Sequence, residues 1–422
     1  METTLLGVPW VVWLAGALAL YMAWGIGAND VANAMGTSVG SGSLTIRRAI
    51  LVAGVLEFSG AFLAGEHVTD TVRKGILDTT EFAQAPELVI YGMLAALAAA
   101  ATLLLGATRM GLPVSTTHSI VGAIVGFGVV ALGADAINWG KVAQIVASWL
   151  TSPLMGGALA FFIFHLVKRT VLDQDDPMAA AKRTGPFFVF AVFFIVGLVT
   201  LFKGLKHLNL DLELPGALLW SAGMALVAAV ISHFVLKRIR PTPEAKTRSE
   251  RFRDVERVFA TLVIMTASSI AFAHGSNDVA NSIGPLAAVV NVARHMDLAS
   301  KAPVEPWMLM VGGIGIVLGL ATLGYRVIET IGKRITELTP SRAFSAELAA
   351  ATTIVLASRL GIPVSTTHIL VGSVLGVGLA RGIGALDLRV LGQILTSWVA
   401  TLPIAACLSI FFFYFFKGLL GP

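Results

Sequence analysis

Two polar strings interrupt an otherwise apolar chain, GANDVANA at residues 27–34 and GSNDVANS at residues 275–282. In each string the aspartate and the asparagines are three or four positions apart, so on a helix they share one side of a turn. Carboxylate and amide oxygens suit a small hard cation such as sodium, and Gly25, Gly27 and Gly36 would allow the backbone to unwind and add carbonyl ligands. The alternative is that the amides bridge neighbouring helices. The predicted sodium ligands are Asn29, Asp30, Asn33, Asn277, Asp278 and Asn281.

A second string, PVSTTH, also occurs twice, at residues 113–118 and 363–368. Because proline cannot continue a preceding helix, Ser115 and Ser365 are natural N-caps of the apolar helices that follow. A helix N-terminus presents free N–H groups and the positive end of the helix dipole, which favour an oxyanion, although capping alone would also explain the serines. The predicted ligands of a tetrahedral anion are the hydroxyl groups of Ser115, Thr116, Thr117, Ser365, Thr366 and Thr367.

Two acids and two histidines are further candidates. Glu57 and Glu347 lie inside apolar runs, as coupling groups or as buried structural acids. His118 and His368 fall in the first turn after each serine, where they could orient the hydroxyl groups, respond to protons or fill space. Basic side chains are scarce in these segments, so a phosphate-sized anion would need cations bound beside it. Each ion would then lower the cost of burying the other, which is a physical route to coupled transport.

The composition places these motifs in a membrane. Of 422 residues, 56% are hydrophobic and 13% are charged, against about 25% charged in a soluble globular protein. Apolar stretches of about 20 residues, long enough to cross the hydrocarbon core, recur along the whole chain. We therefore expect an all-α polytopic membrane protein with about twelve transmembrane segments, near residues 8–26, 48–65, 86–107, 114–133, 141–167, 186–205, 214–236, 257–274, 305–325, 342–359, 365–380 and 389–416.

The chain is a duplication. Asp30 precedes Asp278 by 248 residues, and His118 precedes His368 by 250. We expect a first repeat half at residues 1–170, connecting spans at 171–256 and a second half at 257–422. Five spans and two extra ones precede the second half, so it should run in the opposite direction. Secondary transporters with such inverted repeats bind substrate near the midplane, at broken or re-entrant helices.

The basic residues indicate topology rather than nucleic-acid binding, because they fall between the apolar runs. The loop at residues 237–257 carries eight Lys/Arg against four Asp/Glu, so it should be cytoplasmic. With twelve spans, both termini are then extracellular. Arg73, Lys74 and Arg359 would then fall on the opposite side of the membrane from the basic turns at residues 47–48, 168–169, 182–183 and 333–334.

Two other classes of function can be weighed from the sequence. GTSVG at residues 36–40 matches the nucleophile pattern of serine hydrolases, but the second repeat has GPLAA at the matching place, 284–288, so Ser38 is not part of the duplicated site. A passive anion channel is the other class. The chain has no phosphate-binding loop of the ATPase type, so we predict no enzyme, no catalytic residue and no cofactor.

The repeated strings GANDVANAMGTSVGSGSLT and HGSNDVANSIGP, together with TVRKGILD at 71–78 and both PVSTTH strings, resemble the inorganic phosphate transporter family, sodium-coupled type. The resemblance implies phosphate import with sodium by alternating access in a cell-membrane homodimer, with Asn33 and Asn281 serving phosphate as well as cation binding. Proton coupling and sulfate transport occur as alternatives within such a family.

Overall fold

A computed structural model describes residues 4–5, 8–65, 76–77, 82, 85–199, 214–239, 248–295, 304–359 and 364–421. A short antiparallel hairpin, β1 (Thr4–Leu5) and β2 (Val8–Pro9), precedes the helices. The α-helices are α1 (Trp10–Asn29), α2 (Ala32–Gly40), α3 (Ile46–Ala64), α4 (Glu87–Arg109), α5 (Thr116–Leu132), α6 (Trp139–Val167), α7 (Pro177–Val199), α8 (Leu214–Arg238), α9 (Arg248–Asp278), α10 (Ala280–His295), α11 (Pro306–Glu329), α12 (Pro340–Arg359), α13 (Thr366–Ala380) and α14 (Leu388–Leu420). Pro363, most of the string at 71–78 (including Arg73 and Lys74) and residues 240–247 of the basic loop lie outside the described residues.

Eight helical stretches of the described residues are long and apolar enough to cross a membrane. They are Trp10–Gly40, Glu87–Arg109, Trp139–Leu172, Pro177–Leu198, Leu214–Arg238, Phe252–Arg294, Pro306–Arg334 and Leu388–Leu420. With α1 and α2 taken as one rod, and α9 and α10 as another, the described residues form twelve helical segments. The prediction of an all-α polytopic membrane protein is therefore confirmed.

The central helices are broken or short. The rod of α1 and α2 is interrupted at Asp30 and Val31, where the Asn33 amide donates to the Asp30 carbonyl in a tighter turn. The rod of α9 and α10 is interrupted at Val279. Helices α5 and α13 contain 17 and 15 residues, which makes them about 25 and 22 Å long, less than the roughly 30 Å hydrocarbon core. These interruptions bring polar side chains and helix ends into the interior.

The prediction that Gly25, Gly27 and Gly36 unwind the backbone is wrong. All three lie within α1 or α2 and serve close packing instead. A Cβ on Gly27 would lie 1.8 Å from the carbonyl oxygen of Ile316 in α11. Reciprocally, a Cβ on Gly319 in α11 would lie 1.8 Å from the carbonyl oxygen of Trp24. Small residues let membrane helices approach closely, so these glycines fix α1 against α11.

The two halves interlock rather than lying side by side. Helix α1 packs along α11, α3 along α9, α5 along α14, and α13 along α6. In α5, a Cβ on Gly122 would lie 2.7 Å from the carbonyl oxygen of Leu402 in α14. In α13, a Cβ on Gly372 would lie 2.3 Å from the carbonyl oxygen of Pro153 in α6. Helices α5 and α13 are therefore each packed closely against a long helix of the other half.

The two connecting helices form a peripheral hairpin. Helix α8 packs mainly on α7, and α7 packs on α9. The outer surface of α8 exposes large apolar side chains, among them Leu219 and Phe234. This surface suits a lipid environment, and the polar interior described below lies among the repeated helices.

Candidate functional site

Asp30 lies at the break between α1 and α2 and joins both halves of the chain. Its Oδ2 accepts a hydrogen bond of 2.5 Å from the Thr116 hydroxyl, at the start of α5. Its Oδ1 accepts a hydrogen bond of 3.0 Å from the Thr367 hydroxyl, in the first turn of α13. Asp30 is 1% exposed, so this carboxylate is removed from solvent and held by two hydroxyl groups. The structure thus brings together one predicted cation ligand and two predicted anion ligands.

The two motif asparagines reach across the same centre. Asn33 donates from Nδ2 to the Thr367 hydroxyl at 2.8 Å, and Asn281 donates from Nδ2 to the Thr116 hydroxyl at 3.4 Å. Each asparagine therefore contacts the helix start of the opposite half. The Oδ1 atom of Asn33 is buried and has no hydrogen-bond partner among the described residues. A free acceptor thus lies beside the hydroxyl groups.

The serines have the predicted capping role. Ser115 Oγ accepts from the amide of His118 at 3.3 Å, and Ser365 Oγ accepts from the amide of His368 at the same distance. Both serines are buried. The remaining motif hydroxyls, those of Thr117 and Thr366, are half-buried and are left for other partners. Two capped helix N-termini therefore meet near Asp30.

The second motif aspartate has a different neighbour. Asp278 Oδ2 lies 2.7 Å from Nε2 of His274, and His274 Nδ1 lies 2.8 Å from Oε2 of Glu57. One potential ligand atom from each of Asp30, His274 and Asp278 lies within 4.8 Å of the other two. The two repeat aspartates thus converge on one buried centre, with a histidine between Asp278 and Glu57.

Sequence reasoning missed His274 as a site residue. The signal was present, because His274 precedes Asp278 by four residues and therefore shares its helix face. The repeat offset of 248 residues places Ile26 at the equivalent position in the first half. The histidine is consequently a feature of one half only, which a search for duplicated residues passes over.

Asn29 has a structural task in this conformation. Its Nδ2 donates to the Thr108 hydroxyl and to the carbonyl of Leu112, both at 3.0 Å, and its Oδ1 accepts from the amide of Val114 at 3.0 Å. These bonds tie the loop before α5 to the end of α1, and both amide hydrogens are used. The counterpart Asn277 is half-buried in the last turn of α9. Of the predicted cation ligands, Asp30 and Asp278 are the two carboxylates that lie together, each with an oxygen within 4.8 Å of the other and of a His274 ring nitrogen.

The predicted coupling acids Glu57 and Glu347 lie in two separate clusters. Both are 0% exposed. Glu57 contacts His274, as described above. Glu347 Oε1 accepts from the hydroxyls of Thr37 at 2.5 Å and Ser38 at 3.2 Å, and its Oε2 accepts from Thr266. Ser38 lies within helix α2 rather than on a strand-to-helix elbow, which removes the structural basis of a serine hydrolase.

The histidines of the PVSTTH strings stack on tryptophans. His118 lies on Trp149, with ring centroids 3.3 Å apart, and His368 lies on Trp398 at 3.6 Å. The two imidazole rings meet edge to face, with centroids 4.3 Å apart. Neither side chain contacts Asp30 or Asp278 through a hydrogen bond among the described residues. We refer to these four side chains as the histidine–tryptophan cluster.

The residues of this centre have the chemistry that a paired ion site would need. Two carboxylates about 5 Å apart repel each other by about 3 kcal/mol at an effective dielectric constant near 20. A cation bound between them relieves that repulsion. The adjoining helix N-termini and hydroxyl donors in turn favour an oxyanion. The predicted cation and anion ligands thus lie in contact, and each kind of ion would make the other easier to bury.

Known proteins are similar to this chain along most of its length. Residues 26–409 match the phosphate transporter family. A protein of Haemophilus influenzae whose name describes it as a phosphate permease is 44% identical over 406 residues, covering 96% of each chain. The chloroplastic inorganic phosphate transporter 2-1 of Arabidopsis thaliana is 42% identical over 425 residues, covering 95% of this chain and 71% of that one.

A solved structure is also similar. It is described as the sodium-dependent phosphate transporter, has 40% sequence identity and a TM-score of 0.87, and the match covers 97% of this chain and all of that one. The family match at residues 26–409 includes both copies of each polar string. The chain therefore belongs to the phosphate transporter family, and is a transporter rather than an enzyme.

Proposed function

We propose that this chain imports inorganic phosphate together with sodium by alternating access, using one buried site between the two halves. The observation that carries the proposal is the convergence of Asp30 and Asp278 beside the starts of α5 and α13. Secondary transporters with repeated halves bind substrate at such broken helices. The name of the similar sodium-dependent transporter supports the choice of cation.

The anion is held by neutral donors in this proposal. The hydroxyls of Thr117 and Thr366, which are half-buried and have no hydrogen bond among the described residues, and the N-termini of α5 and α13 supply hydrogen bonds to phosphate oxygens. The free Oδ1 of Asn33 adds an acceptor. Phosphate at neutral pH carries a P–OH group that can donate to this acceptor, whereas sulfate carries no hydrogen. The site therefore favours phosphate over sulfate.

The cations are held by the carboxylates. Asp30 and Asp278 provide two formal negative charges near the anion, and a sodium ion bound to each carboxylate neutralises those charges and removes their repulsion of phosphate. Asn277 and Asn281, beside Asp278 in sequence, are the amide ligands we assign to the second motif. Without cations the carboxylates would exclude phosphate, which is the basis of coupling.

Labelled phosphate uptake into liposomes containing the purified protein tests the proposal. Uptake is expected with an inward sodium gradient, and not with an equal potassium gradient or a proton gradient alone. A large excess of sulfate should leave uptake unchanged. Asp30→Asn should abolish it, while Asp135→Asn, at an exposed position in a surface turn, serves as the matched control.

Other outcomes identify the alternatives. Uptake driven equally well by a proton gradient assigns proton coupling, and competition by sulfate assigns a sulfate permease. Uptake that needs no cation gradient and does not concentrate phosphate assigns an anion channel. Each of these results overturns the sodium symport proposed above.

We further propose a homodimer in the cell membrane, with both termini extracellular and residues 237–257 cytoplasmic. The eight basic residues of that loop support the orientation. Single cysteines introduced in this loop, with Cys407 replaced by Ser, should react with impermeant maleimide only after the membrane is opened. Labelling in intact cells would reverse the topology.

A further inference from the structure

One ring nitrogen of His274 is buried beside the repeat aspartates without a hydrogen-bond donor. The other nitrogen, Nδ1, lies 3.0 and 2.8 Å from the two carboxylate oxygens of Glu57. An ionised carboxylate only accepts hydrogen bonds, so Nδ1 carries the hydrogen and Nε2 of the neutral ring presents a lone pair. His274 is 3% exposed, and its Nε2 has no hydrogen-bond partner among the described residues.

The nearest oxygen atom is in the same position. Oδ2 of Asp278 lies 2.7 Å from Nε2 of His274, and it too is buried without a hydrogen-bond partner among the described residues. Two acceptor atoms at this separation repel each other unless a cation lies against both. Asp30 completes the group, since one potential ligand atom from each of the three residues lies within 4.8 Å of the other two. One nitrogen and two carboxylates therefore face one small volume.

This set of ligands matches a transition metal better than sodium. Imidazole nitrogen suits divalent transition metals, whereas a hard cation uses the oxygens and leaves the nitrogen unused. A metal ion about 2.1 Å from both His274 Nε2 and Asp278 Oδ2 would have these ligands about 80° apart, near the right angle of octahedral coordination. A divalent ion also balances the charges of both aspartates, whereas one sodium ion balances one of them.

Glu57 lies where known metal sites have a supporting residue. Metal-bound histidines usually donate their other ring N–H to a carboxylate or a carbonyl, which fixes the tautomer and the orientation of the ring. Glu57 is 0% exposed and contacts Nδ1 of His274 in this way. The first half has Ile26 at the position equivalent to His274, so the nitrogen ligand comes from the second half alone. The centre can therefore hold one such ion per chain.

We propose that Asp30, His274 and Asp278 form a binding site for one divalent transition-metal ion, such as Mn²⁺, with Glu57 as the positioning residue of His274. The ion occupies the carboxylates assigned above to sodium and is held by the additional nitrogen. It leaves more slowly than sodium and inhibits phosphate uptake by competing with sodium. The metal site rests on the geometry of these side chains, and the competition rests on the proposed function.

Electron paramagnetic resonance with Mn²⁺ tests the site in the purified full chain, without sodium or phosphate. Loss of the free Mn²⁺ signal should give one bound ion per chain, and the spin-echo modulation should report an imidazole nitrogen. His274→Gln removes that nitrogen, so the modulation should disappear and the dissociation constant should rise at least about tenfold. His165→Gln, at a half-buried histidine of α6 whose Nδ1 contacts the carbonyl of Phe161, should change neither.

Glu57→Gln is the second variant, and it keeps the proposal testable if His274→Gln does not fold. It leaves an acceptor for Nδ1 but removes the negative charge, so the affinity for Mn²⁺ should fall about 10- to 100-fold while the nitrogen modulation remains. Nitrogen modulation that is absent from the unmodified chain, or that persists in His274→Gln, overturns the metal site. Displacement of Mn²⁺ by an equal concentration of Mg²⁺, a hard cation of the same charge, overturns it as well.

Uptake measurements separate the metal site from the proposed function. Micromolar Mn²⁺ should raise the KM for sodium and leave the maximal rate of phosphate uptake unchanged, whereas the same concentration of Mg²⁺, which also pairs with phosphate, should have little effect. Bound Mn²⁺ that leaves the KM for sodium unchanged, or that drives phosphate uptake without sodium, overturns the competition and leaves the metal site. Uptake by the unmodified chain that needs no sodium, measured without Mn²⁺, overturns the proposed function and leaves the Mn²⁺ binding result intact.

Discussion

The two copies of the aspartate motif have the same side chains and different surroundings. Asp30 is held by hydroxyl groups from both halves, whereas Asp278 faces the imidazole of His274. The first half has Ile26 where the second has this histidine. The motif occurs twice, but differences in its neighbours place one aspartate against the helix starts and the other against a buried acid–histidine pair.

The threonines show the same division. Thr116 and Thr367 both contact Asp30, but they are not repeat partners, since Thr116 corresponds to Thr366 in the second half. One threonine hydroxyl of each half therefore bonds a single carboxylate, and the other, in Thr117 or Thr366, has no hydrogen bond among the described residues. A site with two-fold symmetry in sequence is asymmetric in its bonds.

The largest effect, a loss of stability, is expected when His274 is replaced, because only the second half has this histidine. His274→Ala leaves Glu57 and Asp278 without their shared partner, and breaking a buried pair costs about 3–5 kcal/mol. Thermal unfolding in detergent should occur at a clearly lower temperature. Adding Glu57→Gln should recover part of the loss, because the second substitution removes an unpaired charge.

Ile26→Ala is the control for that experiment. It removes apolar packing at the equivalent place, so Glu57→Gln should not restore its stability. Equal rescue of both variants would mean that His274 acts as a packing residue, and the contrast between the two halves would then be lost.

The next effect distinguishes the two aspartates. Asp30→Asn removes the charge that holds both helix starts, and hydrogen bonds to charged groups contribute about 1.5–3 kcal/mol each. The initial rate of sodium-driven phosphate uptake should fall at least about a hundredfold. Asp278→Asn should lower the rate less, because His274 keeps its bond to Glu57. Equal losses would contradict the unequal division of tasks.

Much of this organisation could be predicted from sequence, because it depends on local chemistry. Apolar length identified the membrane helices, and the serines cap α5 and α13 as helix-start chemistry requires. The constant repeat offset predicted that the two motifs would share a site, and Asp30 indeed contacts threonines of both PVSTTH strings.

What could not be predicted depends on contacts between distant segments. Gly27 suggested that the helix unwinds there, but it lies within α1, where a carbonyl oxygen of α11 comes so close that no side chain would fit. Asn29 was predicted to be a cation ligand, but its side-chain amide forms hydrogen bonds with the backbone of the loop before α5. His274 was overlooked because the first half has Ile26 at the equivalent position, and its contact with Glu57, 217 positions away, cannot be read from spacing. Spacing shows which residues share a helix face and cannot show what lies opposite that face.

A smaller effect is expected at the threonines. Thr116→Val and Thr367→Val each remove one hydroxyl from Asp30, so the KM for sodium should rise about tenfold. Thr117→Val and Thr366→Val leave Asp30 untouched and should raise the KM for phosphate instead. Uptake kinetics at varied sodium and varied phosphate separate the two pairs. If Thr116→Val instead changes the same KM as Thr366→Val, its repeat partner, then the two halves serve sodium and phosphate in the same way and the proposed contrast is wrong.

The smallest effect should come from Ser38, whose surroundings again differ between the halves. Ser38 and Thr37 of α2 donate to Glu347, whereas the equivalent positions in α10 are Leu286 and Pro285, which carry no hydroxyl. Ser38→Ala removes the longer of the two bonds, and two other hydroxyls still satisfy the carboxylate. Since a net hydrogen bond contributes about 1 kcal/mol, uptake should stay within about fivefold of the unmodified chain. Thr37→Val, which removes the 2.5 Å bond, should lower uptake more. Complete loss of uptake in Ser38→Ala alone would assign Ser38 a direct role, and the hydroxyls of α2 would then mark a functional site that the second half lacks.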